Sequence, residues 1–112
     1  MVLVGSRRAD AADSDYVYTP ADTLAAINDV SATSGVAWTR LYAIVDCETG
    51  HTLDPYAVGR QGEVGVAQLL ARGELPRFYR YGYDNPISPY QAVAFLAQRL
   101  NEGGARAWTC AR

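Results

Sequence analysis

The stretch Val36-Ala37-Trp38-Thr39-Arg40-Leu41-Tyr42-Ala43-Ile44-Val45-Asp46-Cys47-Glu48-Thr49-Gly50 decides how the chain is read. At helical spacing, Ala37, Leu41, Ile44, Val45 and Glu48 share one face, while Arg40, Ala43 and Asp46 turn elsewhere. The apolar stripe therefore ends in an acid, and Gly50 stands where a left-handed residue can stop the helix. A carboxylate at the end of an apolar face is partly desolvated, which disfavours its charged form and raises its pKa. An acid that holds its proton near neutral pH can act as a general acid, so Glu48 is the candidate catalytic residue. The bland alternative is a glutamate that reaches from a helix end to water.

Punctuation on either side extends the pattern. Thr19-Pro20-Ala21-Asp22 has the form of a helix start, with an N-cap Thr, a Pro at the first helical position and an acid at the third. Leu24, Ile27 and Ser31 follow at helical spacing, predicting a helix over about 20–32 that Gly35 breaks. From His51 to Gly65 the chain carries Pro55, Gly59, Gly62 and Gly65, so it reads as turns with a short hairpin. Val66 to Leu70 is apolar and fits either a short strand or the opening of a helix, ending at Gly73 and Pro76. Phe78 to Tyr83 reads as a loop rich in phenols. Ser88-Pro89-Tyr90-Gln91 repeats the capping pattern, and Ala92, Val93, Leu96, Ala97 and Leu100 form a stripe that Gly103-Gly104 terminates. The expected fold is mainly α, with a loop-rich middle.

Composition bounds the rest. With 112 residues, 49% of them hydrophobic and 20% charged, the chain can bury one core, so a single domain over 19–112 is expected behind a flexible lead-in over 1–18. A net charge of -2, with no basic run longer than Arg7-Arg8, gives no electrostatic case for nucleic acid or an anionic membrane as partner. No apolar stretch is long enough for a membrane span. Met1 to Val4, followed by Gly5, Ser6 and the two arginines, has the wrong order and length for a signal peptide. Two cysteines and one histidine so far apart make no metal site, and His51 reads as an exposed loop residue. Cys47 and Cys110 form either one disulfide, tying the C-terminal segment to the Glu48 helix, or a pair of buried thiols in a reducing compartment. We take the disulfide as the expectation.

Three segments in order carry a resemblance: Cys47-Glu48-Thr49-Gly50, then Asp54-Pro55-Tyr56-Ala57-Val58-Gly59, then Gly62-Glu63-Val64-Gly65-Val66-Ala67-Gln68-Leu69. Together they resemble the lysozyme-like soluble lytic transglycosylase family, in which a Glu-Ser pair closes a helix and a Gly-x-x-Gly-Leu-x-Gln segment lines the cleft. Trp108-Thr109-Cys110 resembles the Trp-x-x-Cys ending of secreted members, one residue shorter. Thr49 stands for the usual Ser, Val66-Ala67 for a bulkier pair, and the late Tyr-Asn motif, whose Tyr contacts the catalytic Glu, is absent after Leu100. The resemblance implies an α+β lysozyme-like fold in which a compact helical domain carries a loop or short hairpin lining a cleft. It implies Glu48 as the catalytic acid and Gln68 as a substrate-binding residue of the cleft.

The activity so implied is cleavage of peptidoglycan strands between N-acetylmuramic acid and N-acetylglucosamine, without a cofactor. A hydrolase needs a second carboxylate, whereas a transglycosylase lets the sugar's own hydroxyl attack with one Glu as acid and then base. Glu63 is the candidate second acid; Asp54, ahead of Pro55, sits in a common turn position. We expect the transglycosylase by a small margin. Tyr79, Tyr81 and Tyr83 suit stacking on sugar rings and are the candidate substrate-binding phenols, against the alternative of ordinary packing. A monomer in the extracellular space or cell envelope is expected. The rival from another class is a non-catalytic glycan-binding or wall-scaffold domain on the same frame.

Overall fold

Thr19 opens the first helix with extended backbone, and its N–H donates to the Asp22 carboxylate at 2.8 Å. Pro20 follows at the first helical position, where the missing N–H costs nothing. In this computed structural model, which describes residues 16–112, that helix is α1 (Pro20–Ser34), and Gly35 ends it in the left-handed conformation at φ 81°. The buried face is rotated from the one read at Leu24, Ile27 and Ser31. Thr23, Ala26, Ile27 and Val30 face inward, and Leu24 stays exposed. Thr23 can be buried because its hydroxyl donates to the Leu53 carbonyl at 2.9 Å, which pins the loop after the second helix onto α1.

α2 (Trp38–Glu48) buries Leu41, Ile44 and Val45 as the stripe requires. Ala37 is its exposed N-cap. Beyond Glu48 the chain doubles back through Gly50 at φ 66° and His51 at φ 69°. Thr49 holds that reversal: its buried hydroxyl donates to the Val45 carbonyl at 2.9 Å and accepts the Leu53 N–H at 2.9 Å. A hydroxyl is needed there, and Thr supplies it as Ser would.

The glycine-rich middle forms antiparallel bridges rather than strands, Val58 with Val64 and Val64 with Leu69. The expected hairpin is thus present only as single pairs. Val66 to Gln68 is neither strand nor helix start but a tight turn closed by the Gln68 N–H on the Gly65 carbonyl at 3.1 Å, with Val66 and Ala67 buried beneath it. Gly65 combines φ 78° with an approach to the Pro86 carbonyl oxygen so close that a Cβ would collide with it. Backbone cannot retreat as a side chain can. Gly65→Ala should therefore cost about 2 to 4 kcal/mol, read as a lower midpoint in urea. A midpoint equal to the parent's would show that the loop shifts at no cost.

A helix also stands where a loop was expected. α3 (Glu74–Arg80) begins just after Gly73, and Pro76 sits in its first turn, where backbone N–H groups lack helical partners in any case. Gly73 and Pro76 start a helix instead of ending an apolar run. Phe78, wholly buried, anchors it. α4 (Pro89–Asn101) starts at Ser88, whose hydroxyl accepts the Gln91 N–H at 3.3 Å, and buries Ala92, Val93, Phe95, Leu96, Ala97 and Leu100. It packs chiefly on α1 and also touches α2. Two short 3-10 turns, Ala105–Ala107 and Thr109–Ala111, carry the chain to its end.

The fold is mainly helical, and four α-helices are present among the described residues. The expected disulfide is there, Cys47 to Cys110, with Cα atoms 5.9 Å apart. No helix among the described residues is long and apolar enough to cross a membrane. Of the lead-in read over 1–18, residues 1–15 lie outside the described residues. Tyr18 is buried, with its N–H donating to the Tyr56 hydroxyl at 3.0 Å.

Candidate active site

Two elements meet at Glu48. α2 presents it from its last residue, the disulfide at the preceding Cys47 brings the C-terminal segment alongside, and Cys110 donates its backbone N–H to Glu48 Oε2 at 3.2 Å. Burial pushes the Glu48 pKa above the usual carboxylate value. The Cys110 N–H opposes that shift, and the negative charge of Glu63 adds to it. The carbonyl end of the α2 dipole acts in the same direction as Glu63. The net result is a carboxyl that keeps its proton to a higher pH than an exposed one.

Glu63 belongs to the loop facing this helix end. Its Oε1 accepts the Gln61 N–H at 2.8 Å, and the carboxyl lies against Gly59. Gln68, at φ 51°, lays its side chain on the same glycine: a Cβ at Gly59 would come within 2.5 Å of both Glu63 Oε1 and Gln68 Oε1. Gly59 is thus a floor with two side chains over it. The Gln68 amide donates to the carbonyls of Ala57 at 3.2 Å and Gly65 at 3.0 Å, so it braces the loop that holds Glu63.

The phenols divide. Tyr81 donates to Glu102 at 2.6 Å and Tyr83 to Gln98 at 3.2 Å, which turns both hydroxyls onto α4 and its end. Their rings pack on Phe78 and Phe95 within the seam between α3 and α4. Arg99 joins the same seam, bonded to Glu74 at 2.9 Å and to Glu102 at 3.3 Å. Tyr79, 49% exposed, is the one of the three with an open ring. Glu48, Glu63 and Gln68 are brought to one region, while Tyr81 and Tyr83 serve the packing of α3. His51 is exposed and pairs with Asp46 at 2.7 Å. Asp54 accepts the Tyr56 N–H at 2.9 Å, as a turn aspartate does. Among the described residues no group of three or more His, Cys, Asp or Glu could hold a metal ion.

Two participants carry little or no signal in the sequence. Gly59 is visible there only as a glycine among glycines. The Cys110 N–H has no side-chain signature at all. No protein-family model matches the chain, and neither a curated protein nor a solved structure does.

Proposed function

We propose that the chain is a lysozyme-like glycosidase that cleaves peptidoglycan between N-acetylmuramic acid and N-acetylglucosamine, with Glu48 as general acid and then base. The observation that carries this is the half-buried Glu48 at the end of an apolar helix face, its pKa raised by burial and by the Glu63 charge. Breaking a glycosidic bond requires protonating a poor leaving oxygen, and a carboxyl kept neutral by its surroundings does this well. Lysozyme itself uses a glutamate raised by an apolar pocket in this way, so the parallel is with a relative of the proposed fold. In the transglycosylase form of the reaction, Glu48 gives its proton to the leaving oxygen. The resulting carboxylate takes a proton from the muramic acid's own hydroxyl, which closes an anhydro ring.

Glu63 then has an electrostatic role: its charge raises the Glu48 pKa, which keeps the acid protonated before the step and makes the carboxylate a stronger base after it. The disulfide supports a place outside the reducing cytoplasm, in the cell envelope or beyond. The binding-domain alternative draws on one observation, that the hydrogen-bond partner of Glu48 is a backbone amide and not a tyrosine. Purified sacculi incubated with the protein separate these readings by mass spectrometry of the released muropeptides. Anhydro products support the transglycosylase, reducing ends the hydrolase, and intact strands with bound protein the binding domain.

Glu63→Gln distinguishes the two chemistries further. On the transglycosylase reading the variant keeps its turnover within about tenfold and still makes anhydro products. Loss of the Glu63 charge lowers the Glu48 pKa, so activity falls off at a lower pH on the alkaline side. A rate reduced by orders of magnitude, with reducing-end products in the parent, would assign Glu63 the second-carboxylate role of a hydrolase.

A further inference from the structure

The Cys110 N–H has a geometric consequence for the proton on Glu48. In a neutral carboxyl one oxygen is a carbonyl acceptor and the other carries the hydrogen. Oε2 faces an N–H donor at 3.2 Å, and a hydrogen on that oxygen would point against the donor's own. We propose that the backbone N–H of Cys110, clamped by the Cys47–Cys110 disulfide, is a positioning group for Glu48: it holds Oε2 as the acceptor oxygen and assigns the transferable proton to Oε1. This rests on Glu48 being the general acid.

The same bond strengthens as the proton leaves, because a hydrogen bond to a carboxylate is stronger than one to a neutral carboxyl. It therefore favours the charge that develops on Glu48 during proton transfer. The disulfide joins the residue next to Glu48 to the residue that supplies the donor, so the cross-link fixes both ends of this contact. Trp108 fixes the segment a second time, two residues earlier, with its ring buried and its Nε1–H on the Ala67 carbonyl at 2.7 Å. Among the described residues one charged side chain acts on Glu48, and its sign opposes the developing charge. Glu63 is the charged side chain acting on Glu48 across the loop, while Asp46 and His51 are paired with each other at the end of α2. On the C-terminal segment, Cys110 is oxidised and the Arg112 guanidinium donates to the Arg106 carbonyl at 3.0 Å.

The unmodified protein gives the first test. The amide resonance of Cys110 should move with pH at the same midpoint as the Glu48 side-chain carboxyl carbon, and in Glu48→Gln that movement should vanish. A Cys110 amide indifferent to Glu48 titration, or one whose pH response persists in Glu48→Gln, overturns the proposal. The second test replaces the Thr109–Cys110 peptide bond by an ester through ligation at Cys47, removing the donor while keeping side chains and disulfide. The midpoint of Glu48 should then rise, since the opposing N–H has gone and an ester oxygen lone pair faces Oε2 in its place. On sacculi, the alkaline limb of the rate profile should rise with it. An unmoved midpoint in the ester form sinks the assignment. The resonance measurements contain no substrate, so a parent protein that fails to cut sacculi would refute the glycosidase reading while leaving the amide titration to be read independently.

Discussion

Glu48→Gln should lower wall cleavage by about a thousandfold or more while leaving the fold and strand binding intact. A carboxamide has nearly the shape of the protonated acid, and its oxygen can still accept the Cys110 N–H. What it cannot do is donate a proton to the leaving oxygen or take one back. Stability supplies an independent check with a definite sign. Burial raises the Glu48 pKa above its reference value of 4.5, so the folded state disfavours the ionised form. That contribution is harmless below about pH 4.5, where folded and unfolded chains are both protonated, and becomes destabilising as pH rises through the raised folded value. Gln is neutral throughout. The variant should therefore match the parent in melting temperature at low pH and equal or exceed it at neutral pH. Equal cleavage rates for the two proteins would end the role of Glu48, and a variant less stable only at neutral pH would contradict its desolvation.

α4 was legible because cap, period and stop agree within a few residues, and α2 from its apolar period and the glycine after it alone, since its N-cap Ala37 makes no side-chain cap bond. Ser88 accepting the Gln91 N–H and the burial of Ala92, Val93, Leu96 and Leu100 follow directly from that agreement. α1 was legible in extent but not in facing. Thr23, a polar residue, is buried through a bond to Leu53, thirty positions away in sequence, which a periodicity reading cannot anticipate. α3 was not legible because Gly73 and Pro76 are ambiguous marks, able to start a helix as well as end one. Its buried anchor, Phe78, sits among tyrosines that read as a sugar platform. The site shows the same limit. Glu48 could be picked out as an acid on an apolar face, and the cysteines gave a choice of bonded or free. The orientation of its carboxyl depends on a backbone N–H from residue 110, and the placement of Glu63 depends on the missing side chain of Gly59. Neither effect is written in a side-chain pattern.

Removal of the disulfide should produce the largest loss of stability. Cys47 and Cys110 are 63 positions apart, so the bond closes most of the described chain into one loop. On the chain-entropy account a loop of that size stabilises by about 4 kcal/mol, a large share of a total on the order of 5 to 10 kcal/mol for a domain of this length. Cys47→Ser with Cys110→Ser, or reduction of the parent, should therefore lower the melting temperature by on the order of ten to twenty degrees. The fold should nevertheless survive at room temperature, because Trp108 remains buried against Phe95 and bonded to Ala67 without help from the cross-link. The freed part is Thr109 onward, which is the part that supplies the Glu48 donor. In that state two influences on Glu48 compete: losing the N–H raises its pKa, and entry of water lowers it. Burial is the larger of the two in the intact protein, so the midpoint should move down toward that of an ordinary glutamate. The alkaline limb of activity would then move to lower pH, opposite to the ester form in which the segment stays closed. An intact mass two hydrogens lower before reduction than after establishes the bond. Two thiols alkylated freely in the native protein would remove both the stabilisation and the clamp on Cys110.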